Sequence, residues 1–212
     1  MKYYAVRAGK NPGIYETWSE CREQIYQYSG AVFKSFDTIT DAKKFMEKEV
    51  SPGVINSELP FAFIDGSYST KNEIYGYGGY IFTCDRYYII QGTGNNPEYL
   101  SDRNISGEVL GALQVMYTAH KMEIPEINLY YDYSGIEQWV SGDWKAKTPL
   151  SRYYKQYADL MSEFITVHFV KVKGHTGIEG NEIADCLAKE AVGAKLRKKD
   201  KEALRLFREK CS

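Results

Sequence analysis

Hydrophobic and polar positions divide the chain into stretches of two different periods. Alternation through Tyr3, Tyr4, Ala5 and Val6 predicts a strand, the Gly9-Lys10-Asn11-Pro12-Gly13 cluster a turn, and Ile14-Tyr15 a second strand. A helix is expected from Ser19, with Glu20 and Glu23 in its first turn, to about Tyr28, where Gly30 follows. A short strand over 31–36 and a helix starting across Thr40 to Lys43, with Ala42, Phe45 and Met46 as its apolar positions, complete a β-β-α-β-α unit. Residues 51–60 hold turn formers and follow neither period, which predicts a linker.

Past the linker, Phe61 to Asp65 reads as a strand, with meander partners in Gly76 to Phe82 and Tyr87 to Gln91. A helix over about 106–121 carries Leu110, Leu113 and Tyr117 on one face. Ile127 to Tyr131 is an apolar run that follows this long helix, so it is expected as a parallel crossover strand. Helices over 133–140 and 150–164, a last strand from Val167 to Val172, and a helix over 180–191 ended by Gly193 follow. The expectation is an α/β chain in four parts: residues 1–50, a linker 51–60, a larger domain 61–192 and a tail 193–212.

Composition narrows this picture. The 212 residues are 43% hydrophobic and 26% charged, which excludes a disordered chain, and no run approaches the roughly 18 apolar residues of a membrane span. Cys21, Cys84, Cys186 and Cys211 form no CxxC pair, so neither a zinc site nor a disulfide framework is expected, and a reducing cytoplasm fits. Cys21 is expected in the core. The net charge of -1 conceals segregation. Residues 1–50 carry 8 basic and 7 acidic side chains (+1), residues 51–192 carry 11 and 18 (-7), and residues 193–212 carry 8 and 3 (+5). An acidic middle segment suits a polyanionic partner only if its carboxylates hold cations.

Four carboxylates stand where they could do so. Asp65 ends the first strand of the larger domain, followed by Gly66-Ser67, and Asp132 ends its fourth after Leu129-Tyr130-Tyr131. Ligands of open sheets bind beyond the carboxyl ends of adjacent parallel strands, so both acids are expected in one crevice. Glu108 is expected in the first turn of the crossover helix and Asp185 one turn into the last helix of that domain. Taken singly, each has an ordinary alternative: a turn at Asp65-Gly66, a helix-start acid at Glu108, a surface pair of Asp185 with Lys189. Converging, they repel unless hard divalent cations such as Mg²⁺ occupy the site, and a pair of such ions supports phosphodiester hydrolysis.

Phe63-Ile64-Asp65-Gly66-Ser67, Asn104-x-x-x-Glu108-x-x-x-Ala112-Leu113, Tyr130-Tyr131-Asp132-Tyr133-Ser134, and the run from Val170 through His175 to Gly177 followed by Asn181-Glu182-x-Ala184-Asp185 are similar to the motifs of type 1 ribonuclease H. The resemblance covers 61 to about 192 and implies a mixed five-stranded sheet with helices. It also implies an endonuclease that cuts the RNA strand of an RNA–DNA hybrid at a two-metal site; Mg²⁺ is the expected ion, and whether Mn²⁺ can replace it is left open. It makes Asp65, Glu108, Asp132 and Asp185 the metal ligands, His175 a mobile aid to proton transfer and product release, and Asn104 a minor-groove contact. Three features depart from the family's pattern: Ile105 after Asn104, Tyr133 between Asp132 and Ser134, and a segment between Trp139 and Lys155 too short for the basic protrusion of some members.

The first fifty residues resemble the amino-terminal hybrid-binding, or viroplasmin-like, domain found ahead of some type 1 ribonucleases H, through Tyr3-Tyr4-Ala5-Val6, Gly13-Ile14-Tyr15-x-x-Trp18-x-x-Cys21 and Phe33-Lys34-Ser35-Phe36. That resemblance implies a small α/β hybrid-binding domain in which Tyr4, Trp18, Phe33 and Lys34 contact nucleic acid, with double-stranded RNA as a weaker partner; Ser35 replaces a second lysine of some members. The tail is expected as a basic helix with a thin apolar set, Leu196, Leu204 and Phe207, and is either a solvated face or a third contact. The whole is expected as a monomeric, cytoplasmic enzyme without a membrane partner. The rival is a hybrid-binding protein with an inactive nuclease domain.

Overall fold

The computed structural model describes residues 2–8, 10–26, 32–47, 59–172 and 179–211. Most of the expected linker and the expected loop residue His175 lie outside them. The chain forms two compact units, Met1–Val54 and Ile55–Ser212.

In the first unit, β1 (Tyr3–Ala8), β2 (Gly13–Tyr15) and β3 (Val32–Phe36) make an antiparallel sheet of order β2-β1-β3, with α1 (Trp18–Ile25) and α2 (Ile39–Glu47) between and after them. The first helix starts at Trp18 rather than Ser19. Thr17 caps it: its side chain accepts from the Glu20 N–H at 3.3 Å, while the Glu20 carboxylate accepts from the Thr17 N–H at 3.1 Å. Among the described residues of this unit, the buried apolar side chains, Ala5, Val6, Cys21 and Ala42, are all small. So thin a core leaves large rings outside, and Trp18 and Phe33 are 45% and 42% exposed.

The second unit runs β4 (Phe61–Ser69), β5 (Ile74–Thr83), β6 (Arg86–Gly94), α3 (Pro97–Leu100), α4 (Asn104–Lys121), β7 (Glu126–Tyr131), α5 (Gly135–Ser141), α6 (Pro149–Met161), β8 (Thr166–Lys171), α7 (Glu179–Ala191) and α8 (Lys198–Lys210). Its five strands lie in the order β6-β5-β4-β7-β8, antiparallel from β6 to β4 and parallel from β4 through β7 to β8. This is the mixed five-stranded sheet expected. Both faces are covered by helices, as alternation along the strands requires. Ala62, Ile64, Leu129 and Tyr131 pack under α4, α5 and α6, and Phe61, Phe63, Tyr80 and Tyr130 under α7 and α8.

Several boundaries differ from expectation here, among them the start of α4 at Asn104 and the end of α6 at Met161. The strand expected to stop at Asp65 continues to Ser69, because β5 keeps pairing with it after β7 has diverged at Phe63 and Tyr130. The helix expected over 133–140 begins at Gly135, since the Tyr133 N–H is taken by Glu108. The tail is helical only from Lys198, and it is neither a bare solvated face nor a separate segment. Leu204 and Phe207 are buried in the second core, the Phe207 ring lying 4.8 Å from that of Tyr80, and Arg208 bridges to Glu190 on α7 at 2.6 Å. Arg197 and Arg205 pair within the helix region, with Asp200 and Glu202. Among the described residues no helix is long and apolar enough to cross a membrane.

Candidate metal centre and aromatic face

The Phe63 and Tyr130 rings, register partners across the parallel pair β4–β7, stack at 4.4 Å and 10°. Asp65 lies two residues beyond Phe63 on β4, so the parity that buries the Phe63 ring on the α7 side directs Asp65 there, and Asp132 lies one residue past the end of β7. Glu108 arrives from the other helix layer. It is the fifth residue of α4 and therefore lies in the second turn, not the first, because the helix begins at Asn104.

Its aim depends on glycine. A methyl on Gly66 would lie 2.0 Å from the Asn104 carbonyl oxygen and 2.5 Å from the Glu108 nitrogen, and one on Gly107 would lie 1.9 Å from the Gly76 oxygen. The α4 backbone thus rests directly on β4 and β5, which only residues without Cβ permit at this point. Nothing in the spacing of apolar residues gives Gly107 a role; a glycine inside a helical run beside a candidate ligand is its only sequence signal.

The outcome is a tight acidic group: ligand oxygens of Asp65, Glu108 and Asp132 lie within 4.8 Å of one another. Asp65 and Glu108 are only 8% and 3% exposed. The Asp65 carboxylate accepts from the Gly66 N–H at 2.7 Å and that of Glu108 from the Tyr133 N–H at 3.0 Å. These bonds do not offset the surroundings. Burial first, then the charges of Asp132 and Asp185, push the Asp65 carboxyl up from its ordinary 3.8 to about 8. Burial, then Asp132, likewise hold Glu108 well above the usual carboxylate range.

Asp185, expected in the same group, stands beside it: its charge reaches Asp65, but its carboxylate is bound to the Lys189 ammonium at 2.6 Å. His175 lies outside the described residues. Asn104 is exposed at the first position of α4. A donor set made wholly of carboxylate oxygens, two of them on buried groups whose carboxyls burial and then neighbouring charge raise, fits a hard divalent cation, which would relieve that crowding of charge.

In the first unit, the Trp18 ring lies 5.7 Å from that of Tyr4 and 5.8 Å from that of Phe33, a continuous aromatic face. Lys34 is not part of it. Phe33 pairs with Val6 and Lys34 with Ala5, so alternation sends Lys34 to the other side of β3, 5.8 Å above the Phe36 ring.

Comparison with known proteins decides the family. Residues 59–193 match the model described as RNase H, and residues 2–46 that of the Ribonuclease H1 N-terminal domain. The chain belongs to the ribonuclease H family. Human Ribonuclease H1 is 26% identical to it over 258 aligned positions, covering 91% of this chain and 89% of the human one. The Saccharomyces cerevisiae Ribonuclease H is 48% identical over 44 residues, or 21% of this chain and 13% of the yeast one; the chain thus aligns with only a small part of the yeast relative. The ribonuclease H unit shares its fold with the N-terminal RNase H domain of a Mycobacterium tuberculosis protein (20% identity, TM-score 0.53, 71% of this chain and 99% of that one). LC11-RNase H1, solved in complex with an RNA/DNA hybrid, has the same fold (17% identity, TM-score 0.52, 63% of this chain and 96% of that one).

A pH dependence of stability follows from the raised carboxyls. The folded protein binds the Asp65 proton more tightly than the unfolded chain does, so this contribution is complete below about pH 4 and is lost as pH rises toward 8. In divalent-free buffer the melting temperature should therefore fall by several degrees between about pH 5 and pH 8.5, and millimolar Mg²⁺ should flatten the decline. Scanning calorimetry across that range checks it; a melting temperature that stays level or rises without divalent ions contradicts the assignment.

Proposed function

We propose that this chain is a divalent-cation-dependent endonuclease that hydrolyses the RNA strand of RNA–DNA hybrids, with its first unit tethering the hybrid. The observation that carries the proposal is the convergence of Asp65, Glu108 and Asp132 within 4.8 Å, from two parallel strands and the helix between them. Membership of the ribonuclease H family and the hybrid bound by LC11-RNase H1 support the choice of substrate.

Asp65, Glu108, Asp132 and Asp185 would hold the ions, Mg²⁺ in the first instance with Mn²⁺ as a substitute. When bound, such ions supply a more acidic attacking water and neutralise charge on the leaving oxygen. The protein's part is orientation. The Tyr133 N–H keeps Glu108 turned toward Asp132, and the Gly66 N–H fixes the Asp65 carboxylate. Asn104, exposed at the start of α4, is suited to read the minor groove, where 2′-hydroxyls distinguish RNA. His175 is assigned to proton transfer as product leaves.

Residues 51–192 carry a charge of -7 from 11 basic and 18 acidic side chains, and with the 8 basic and 3 acidic side chains of the packed tail the second unit still carries -2, so it attracts a polyanion poorly without bound cations. Tethering answers this by raising the local hybrid concentration. The Tyr4-Trp18-Phe33 face is assigned to the sugars of the DNA strand. Lys34, across the edge strand β3, is assigned to a phosphate that the hybrid brings over the rim. Double-stranded RNA is the weaker partner of this unit, and the working form is a cytoplasmic monomer.

Incubating a labelled hybrid with Mg²⁺ and with EDTA, resolved on a gel, tests the activity. Cleavage should depend on Mg²⁺ and be lost in Asp132→Asn, which keeps shape but removes a ligand charge, while hybrid binding stays within about two-fold of the parent. A variant cutting at a tenth of the parental rate or more contradicts the role of Asp132.

For the first unit, Trp18→Ala should weaken hybrid binding about five- to a hundred-fold, as expected for loss of one stacking aromatic, with the rate recovering at saturating substrate. Lys34→Ala should reduce the salt dependence of binding by about one phosphate contact. Circular dichroism confirms folding; a folded Trp18→Ala that binds hybrid as tightly as the parent removes the aromatic face from the account.

A further inference from the structure

Asp185 and Lys189 stand four residues apart on α7, the spacing of an ordinary surface ion pair, and at the surface such pairs contribute little. This pair is set apart by where α7 holds it. A methyl on Gly78 would lie 2.0 Å from the Ala188 nitrogen and 2.6 Å from the Leu187 Cβ, so the α7 backbone rests on β5 at that glycine. Gly78 is the register partner of Asp65. The Gln91 side chain, on the neighbouring strand, donates to the Leu187 carbonyl at 2.7 Å and fixes the same turn. Residues 185 and 189 thus lie on either side of the turn that rests on Gly78, the cross-strand partner of Asp65. Asp65 accordingly feels both: Asp185 works against its ionisation and Lys189 favours it. The Asp185 side chain is 16% exposed and that of Lys189 35%, so water screens the pair only in part.

We propose that Lys189 is a positioning residue that acts as a tethered stand-in cation: its ammonium keeps Asp185 out of the Asp65-Glu108-Asp132 group until divalent ions compete for that carboxylate. The inference rests on the reading of these four acids as metal ligands. Two opposed effects follow. Lys189 stabilises the metal-free protein by placing a positive charge beside crowded acids. It also weakens divalent binding, because Asp185 must be taken from it. A residue with only a structural role would do the first without the second.

Titration calorimetry of the full chain with Mg²⁺, without nucleic acid, separates the cases. Lys189→Gln should bind Mg²⁺ about three- to ten-fold more tightly than the parent, its metal-free melting temperature should drop, and the rise in melting temperature on adding Mg²⁺ should be larger. Lys189→Arg, which keeps the cation, should stay close to the parent. If Lys189→Gln does not fold, Lys189→Met, which retains the apolar stem, is titrated in its place. Equal or weaker Mg²⁺ binding in the neutral variant overturns the proposal. A parent chain that binds no Mg²⁺ overturns the metal reading itself, a failure distinct from the first.

Discussion

Three carboxyl groups within 4.8 Å of one another, two of them closed off from water, repel once ionised, and the ribonuclease H unit is arranged around that repulsion. Nothing in the acids themselves favours the arrangement without a cation. It has to be imposed by packing on two sides. Stacked Phe63 and Tyr130 lock β4 to β7 just before the two aspartates, and the Gly66 and Gly107 contacts seat α4 so that Glu108 meets them. Loss of either support would let the acids move apart toward solvent, where each is more stable. Burial thus favours the protonated forms of Asp65 and Glu108, and a divalent cation at the group would compete with those protons.

The same sheet explains why the basic tail is structural. The α7 side carries Phe61, Phe63, Tyr80 and Tyr130, more apolar surface than α7 covers, and α8 closes it with Leu204 and Phe207. Arg208, through Glu190 on α7, ties that helix to the one bearing Asp185 and Lys189. The first unit shows the opposite economy of size. Its described core is small, and Trp18 and Phe33 stand exposed beside the half-buried Tyr4, which suits a binding face and would be wasteful in a domain built only for stability.

Much of this was legible in the sequence because strand ends and motif spacing are local. The antiparallel-then-parallel order of the strands and the place of Asp65 and Asp132 on neighbouring strands follow from apolar runs broken by an acid, and the family from the motif resemblance, although β4 runs on past Asp65 to Ser69. What was not legible depends on backbone contacts between distant segments. Glu108 lies a turn deeper in α4 than its spacing suggests, and the glycines that allow this carry no period. Lys34 follows Phe33 in sequence and reads as part of one patch, yet strand alternation separates them. The Asp185-Lys189 pair reads as a surface pair until α7 is found resting on Gly78.

The central claim is that Asp65 and Glu108, whose carboxyls burial and neighbouring charge raise above the ordinary range, exchange protons for a divalent cation. Metal binding must then release protons. Calorimetric titration with Mg²⁺ at pH 7, repeated in two buffers of different ionisation enthalpy, counts them. The account predicts net proton release as the site fills. Mg²⁺ binding that releases no protons would contradict it.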